Sequence, residues 1–161
     1  MNINLLNDDL FSILHLFIIF KPLNKNELLT AINMWSNDQF KALYIYGHIS
    51  NWDTSLTNDM SNLFKNKVYF NNNINNWNIS NVTNMKNMFY GAKLFNQPLN
   101  NWNTSNVINM FGVFFLTKSF NQPINNWNTS NVNNMSCMFL NANSFNQQLN
   151  TWNTTNVTDM S

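Results

Sequence analysis

The sequence predicts a repeat solenoid, a stack of coils in which each coil holds short parallel strands and a helical turn, preceded by a small N-terminal α-helical cap. Three observations predict this fold class. Tryptophan recurs every 25 residues without insertion or deletion, other apolar residues keep a constant distance from each tryptophan, and the first 48 residues lack the repeat. Because one such unit cannot bury its apolar side alone, we expect consecutive units to pack against each other.

The predicted repeat core consists of large apolar residues at constant distances from each tryptophan. Methionine follows eight residues later, and phenylalanine follows twelve and eighteen residues later. We expect these side chains to form columns through a shared interior. The core residues are Trp52, Trp77, Trp102, Trp127, Trp152, Met85, Met110, Met135, Phe89, Phe114, Phe139, Phe95, Phe120 and Phe145. Valine occupies the position five residues after tryptophan in four units, and Thr57 takes it in the first.

The third unit illustrates the expected path of a coil. We predict a strand at residues 99–103, a corner at 104–106, a second strand at 107–110 and a helical turn at 111–116. The chain has only three glycines, and asparagine tolerates left-handed backbone angles, so we expect asparagine at the corners. Two asparagine columns are expected to form amide ladders between coils, namely Asn78, Asn103, Asn128 and Asn153, and Asn71, Asn96, Asn121 and Asn146.

The domain boundaries follow from the same pattern, with a helical cap at residues 1–48 and the solenoid at 49–161. The cap is expected to contain a helix over the apolar run 10–20 and a second over 25–35. A capping box from Ser36 to Gln39 is expected to open a short third helix that ends at Gly47. The solenoid holds about four and a half repeats, the last of them incomplete.

Composition excludes several classes of protein. A formal charge of +1 with 9% charged residues disfavours nucleic-acid binding, and a single cysteine excludes a disulfide framework and a cysteine-based zinc site. The run 10–20 is too short to span a bilayer, which takes about 20 residues. Neither a signal peptide nor a membrane-spanning helix is apparent, which favours an intracellular or virus-associated location over secretion.

The sequence offers no catalytic, cofactor-binding or metal-ligating residue. Asp59 and Asp159 occupy the same repeat position four coils apart, hence roughly 19 Å at strand spacing. That separation exceeds the roughly 5–9.5 Å of a glycosidase carboxylate pair. We therefore expect a protein that is not an enzyme and needs no cofactor.

The repeat itself resembles a known family. The stretch FNQPLNNWNTSNVINM at 95–110 and its copies FNQPINNWNTSNVNNMSCMF and FNQQLNTWNTTNVTDMS are similar to the repeats of BspA-like leucine-rich-repeat surface proteins. The lead-in from Ala31 to Ser55 also looks like the segment that precedes such repeats. The resemblance implies leucine-rich-repeat-like coils and a role in binding or adhesion, and it carries over no catalytic residue.

Three functional hypotheses follow. The first is a protein-interaction or adhesion scaffold whose asparagine, threonine and serine columns bind a protein or glycan partner. The second is an F-box-like adaptor in which residues 5–17 recruit a ubiquitin ligase and the repeats bind its substrate. The third is a flat glycan- or crystal-binding surface formed by the column Thr54, Thr104, Thr129 and Thr154, which Ile79 interrupts. The uncapped C-terminal coil also predicts end-to-end self-association.

Overall fold

The computed structural model describes residues 19–161, which begin with two short helices. Helix α1 spans Lys25–Asn37 and starts at Asn24, whose side chain accepts a hydrogen bond from the main-chain N–H of Glu27. Leu28, Ala31, Ile32 and Trp35 form its buried face. These residues recur at helical spacing, and the predicted second helix is confirmed.

Helix α2 spans Gln39–Tyr46 and ends at Gly47, as predicted, with a φ of 68° at the glycine. The predicted capping box is wrong, because Asp38 caps the helix by accepting from the N–H of Lys41. Ser36 still belongs to α1, where its hydroxyl donates to the carbonyl of Ile32. A 3₁₀ turn at Ile49–Asn51 then leads into the repeats.

The first predicted helix, 10–20, lies almost wholly outside the described residues, and so does the F-box-like segment 5–17. The two residues that are described, Ile19 and Phe20, are not helical. In the part of the chain from residue 19 onward, no helix has the length and apolarity needed to cross a bilayer.

The repeat units stack directly on one another. We call them coils 1 to 5, at residues 49–73, 74–98, 99–123, 124–148 and 149–161. The indoles of Trp102 and Trp127 stack with centroids 6.1 Å apart and an interplanar angle of 11°. The rings of Phe89 and Phe114 lie 5.6 Å apart and nearly parallel at 1°. Columns of like aromatic side chains therefore run through the interior of the stack.

The predicted strands are wrong, and with them the strand-based, leucine-rich-repeat-like fold class. Within residues 19–161 the only β pairing is a chain of isolated parallel bridges with one residue per coil: Asp59, Asn84, Asn109, Asn134 and Asp159. In coil 3, residues 99–103 form no strand, residues 107–110 hold only the bridge at Asn109, and residues 111–116 form hydrogen-bonded turns.

Hydrogen-bonded turns interrupt the predicted strands, as where the N–H of Trp102 donates to the carbonyl of Leu99 inside the predicted strand 99–103. Left-handed residues bend the segment that follows the bridge. Coils 1 to 4 each place two residues with positive φ four positions apart, such as Asn62 at 62° and Asn66 at 59° in coil 1, and Gly112 and Leu116, both at 58°, in coil 3. A residue with positive φ interrupts an extended backbone. The protein is therefore a stack of coils built from turns, with no sheet in the described residues.

Alternating main-chain hydrogen bonds replace the sheet. In coil 3, the N–H groups of Met110, Gly112, Phe114 and Leu116 each donate at 2.9 Å to a carbonyl of coil 4. The N–H groups between them close turns inside the coil, as from Val113 to Met110. Four of the seven N–H groups at residues 110–116 thus bind the next coil, and these donors are satisfied without regular strands.

One of the two predicted asparagine ladders is confirmed. The side-chain oxygen of Asn96 accepts from the main-chain N–H of Asn121 at 2.9 Å and from the amide of Gln122 at 3.0 Å, both in the next coil. The other ladder is wrong. Asn128 instead accepts from the N–H and hydroxyl of Ser130, two residues away in the same coil, because an asparagine side chain readily caps its own turn.

The two ends of the stack differ. At the N-terminal end, Trp52 packs against Trp35 of α1 at 6.0 Å and against Phe20 at 5.3 Å. At the other end, Trp152 is only partly buried and borders an apolar depression of about 500 Å³. The expected end-to-end self-association would use this face and stays a prediction.

Candidate interaction surface

The core residues predicted from the sequence lie inside the stack, except that Phe139, Phe145 and Trp152 in the last two coils are only partly buried. Each indole also donates to a carbonyl of the segment before it. Trp77 donates to Ile49 at 2.8 Å and Trp127 to Leu99 at 3.1 Å. The fully buried side chains of this set hold the coils together and are unavailable to a partner.

The predicted threonine surface is wrong for the same reason. Thr54, Thr104 and Thr129 are at most 1% exposed, and so is Ile79, which shares their position. The hydroxyl of Thr104 donates to the carbonyl of Asn128 at 3.0 Å. Only Thr154, in the last coil, is exposed. A buried column cannot serve as a flat surface for a crystal or glycan.

The two carboxylates of coil 1 join the array to the segment before it. Asp53 pairs with Lys21 at 2.8 Å, and this hydrogen bond, helped by Ser55, lowers the pKa of Asp53 to about 2. Asp59 pairs with Lys25 at 3.0 Å. Burial raises the pKa of Asp59, but the N–H of Ser61 and the Lys25 ammonium together bring it below its usual value.

The exposed side chains that differ most from coil to coil gather on one side of the stack. We call this side the turn flank and define it as residues 60–69, 85–94, 110–119 and 135–144, the segments that carry the left-handed residues. Five of the eight basic residues of the chain lie there, and these segments contain no Asp or Glu. The lysines are Lys65, Lys67, Lys86, Lys93 and Lys118.

Two lysines of the turn flank lie over aromatic rings of the next coil. The ammonium of Lys65 is 5.2 Å from the ring centroid of Tyr90, and that of Lys86 is 5.3 Å from the centroid of Phe111. Tyr90 in turn meets Phe115 edge to face at 4.8 Å. The electron-rich ring faces attract the cations, which holds two positive charges above partly buried aromatic side chains.

The other three lysines extend this positive surface. Lys93 and Lys118 occupy the same position in coils 2 and 3, and both are exposed. Lys67 lies at the junction with α1, where it donates to the side chain of Asn33 at 2.7 Å, and burial lowers its pKa. Exposed apolar side chains also lie on the turn flank, with Leu94 next to Lys93 at 48% exposure and Leu140 in coil 4 at 49%.

Comparison with known proteins assigns the repeats to a family. The family model described as "Mycoplasma protein of unknown function, DUF285" matches residues 30–112 and again residues 70–161. The chain belongs to the DUF285 family. Neither the comparison with curated proteins nor that with solved structures gives a match. Membership in DUF285 is consistent with the resemblance to BspA-like repeats, and the family description names no partner or activity.

The sequence reasoning missed the turn flank of this DUF285 chain. Net charge conceals it, because the lysines there are balanced in the total by acids elsewhere, such as Asp53 and Asp38. Sorting the lysines by repeat position would have found it, since every lysine of the array falls between nine and sixteen residues after a tryptophan. Only the stacking of the coils then shows that these positions adjoin.

Proposed function

We propose that this DUF285 chain is a non-enzymatic scaffold that binds another protein through the turn flank. One observation supports this above the others. The apolar side chains that are constant in the repeat are buried between the coils. The residues that vary between coils and stay exposed, such as Lys86, Leu94 and Leu140, lie on the turn flank. Exposed residues that vary on a rigid framework are suited to recognition.

The carboxylates of the array support the non-enzymatic part of this proposal. Asp53 and Asp59 are paired with lysines of the preceding segment, and the side chain of Asp159 accepts from the N–H and hydroxyl of Ser161. General acid–base catalysis needs a carboxylate positioned to exchange a proton with a substrate. Carboxylates engaged in ion pairs and local hydrogen bonds are better explained by a structural role.

The adaptor hypothesis depends on residues 5–17, which lie outside the described part of the chain. The adhesion hypothesis is compatible with the turn flank, since an adhesive surface would also need exposed residues that vary among coils. The adaptor and adhesion hypotheses both describe a binding scaffold, and they differ in the partner that the scaffold binds.

Site-specific photo-crosslinking tests the proposal. A benzophenone amino acid is introduced in place of Tyr69, which is 85% exposed on the turn flank, or in place of Asn101, which is exposed outside it. We expect a partner identified by mass spectrometry to crosslink at position 69 and not at 101, and to bind again when both proteins are purified. Equal crosslinking at the two positions, or none at either, would overturn the proposal.

A further inference from the structure

The turn flank carries a concentrated positive charge on a nearly neutral chain. Its segments hold five lysines and no acid, whereas the whole chain has a formal charge of +1. Both ion pairs of residues 19–161 lie at the junction with the cap, at Lys21–Asp53 and Lys25–Asp59. Within that range the lysines of the turn flank therefore have no acidic partner, and their charge is available to a ligand.

The placement of two of these lysines favours a bound anion. Lys93 and Lys118 occupy the same position of adjacent coils, and the main-chain bond from Ser119 to Lys93 at 3.0 Å shows that these positions stack. Like charges at neighbouring positions repel each other. A carboxylate bound between them would remove that repulsion and gain attraction to both.

From this arrangement we infer that the turn flank binds an acidic polypeptide segment. Carboxylates of the segment would pair with Lys65, Lys86, Lys93 and Lys118, and its apolar side chains would cover Leu94 and Leu140. A positive surface with interspersed apolar groups complements a chain that alternates acidic and apolar side chains. The inference rests on the proposed function, because it names the partner class of that same surface.

Two other anionic partners fit the surface less well. Single-stranded nucleic acid binds by stacking bases on open aromatic faces, but lysine ammonium groups cover the ring faces of Tyr90 and Phe111. An anionic membrane favours surfaces whose apolar groups protrude past the charges. At the Lys65–Tyr90 and Lys86–Phe111 pairs the charges lie outermost instead, because the rings are partly buried beneath the ammonium groups.

The test measures fluorescence anisotropy of the full chain with a labelled peptide of six Glu-Glu-Leu repeats. The test variant carries K65Q, K86Q, K93Q and K118Q, which removes four positive charges from the turn flank. The matched control carries N76D, N101D, N133D and N150D, which changes the total charge by the same amount at exposed positions outside the turn flank.

We expect the lysine variant to bind the peptide at least about tenfold more weakly than the wild type, and the control variant to lose less than about threefold. Binding of the wild type should also weaken with salt. A peptide of Gln-Gln-Leu repeats should not bind. Equal losses in the two variants would show a response to total charge alone and would overturn the inference.

Competition distinguishes the partner classes. Stronger competition by oligothymidylate, by a heparin fragment or by phosphatidylserine vesicles than by unlabelled acidic peptide would also overturn the inference. If the acidic peptide fails to bind while Tyr69-specific crosslinking persists, the inference is wrong and the proposed function stands. If both fail, both are wrong. Circular dichroism of each variant confirms that the coils remain folded.

Discussion

The indole nitrogen of Trp102 donates a 3.1 Å hydrogen bond to the main-chain carbonyl of Ile74, one coil earlier in the stack. The same bond links Trp127 to Leu99 and Trp152 to Ile124, both at 3.1 Å. Each tryptophan thus serves two purposes, because its ring stacks on the neighbouring indole and its N–H satisfies a buried carbonyl. Phenylalanine could do only the first.

Replacing Trp102 with phenylalanine tests the importance of this bond. The substitution keeps an aromatic ring but removes the indole donor from the carbonyl of Ile74, which then keeps only the main-chain N–H of Trp77, in a region where Trp102 is 3% exposed. We expect the free energy of unfolding to fall by about 1 kcal/mol from the lost hydrogen bond, measured by urea denaturation followed by circular dichroism. Trp152→Phe is the control. Its site is partly exposed, so water can replace the lost donor and the loss should be clearly smaller.

Replacing Thr57 with valine should stabilise the protein. Thr57 is 2% exposed, and its hydroxyl has no hydrogen-bond partner in residues 19–161. The same position holds valine in the other coils. Removing a buried, unsatisfied hydroxyl should raise the free energy of unfolding by about 1 kcal/mol.

The matched control for this prediction is Thr104→Val. Thr104 is equally buried, but its hydroxyl donates to the carbonyl of Asn128. This change should therefore destabilise the fold by about 1 kcal/mol. Shifts of the same sign in the two variants would contradict the prediction.

A double-mutant cycle at Gly112 and Asn87 tests the contact between neighbouring coils at the left-handed position. A Cβ atom on Gly112 would lie 2.5 Å from the side-chain oxygen of Asn87. Gly112→Ala should cost about 2 kcal/mol from this clash and from the positive φ. Asn87→Gly removes the oxygen, so G112A should cost about half as much in that background. Additive effects would show that the two side chains do not meet.

Acid should weaken the junction between the array and its cap. The pKa of Asp53 falls from 3.8 to about 2 in the folded chain, chiefly because of its hydrogen bond from Lys21. A lowered folded-state pKa means that the ionised group stabilises the fold above pH 3.8, and that this contribution is lost as the pH falls toward about 2. Between pH 3.8 and about 2, the free energy of unfolding should therefore fall less steeply for Asp53→Asn than for the wild type, as measured by urea denaturation at each pH.

Lys21→Gln provides the second arm of the pH experiment. It removes the hydrogen bond that lowers the pKa of Asp53 most. The free energy of unfolding should therefore depend less on pH over the same range. An unchanged acid profile in both variants would mean that this ion pair does not contribute to stability.

The sequence by itself determined the repeat length, the residues of the core and the helices α1 and α2. Large apolar side chains such as Trp102 need to be buried. Because they recur every 25 residues, stacking the units on one another buries them in every unit. The same logic predicted the ladder through Asn96, since identical side chains in stacked coils become neighbours.

Only the tertiary structure decided the backbone path of the coil and the location of the interaction surface. Local sequence does not reveal that Leu116 adopts a positive φ, because leucine rarely does so and the packing and hydrogen bonds of adjacent coils must impose it. The charge on the turn flank arises because Lys65, Lys86 and Lys118, in three different coils, come to lie on one side of the stack. That adjacency exists only once the coils are stacked.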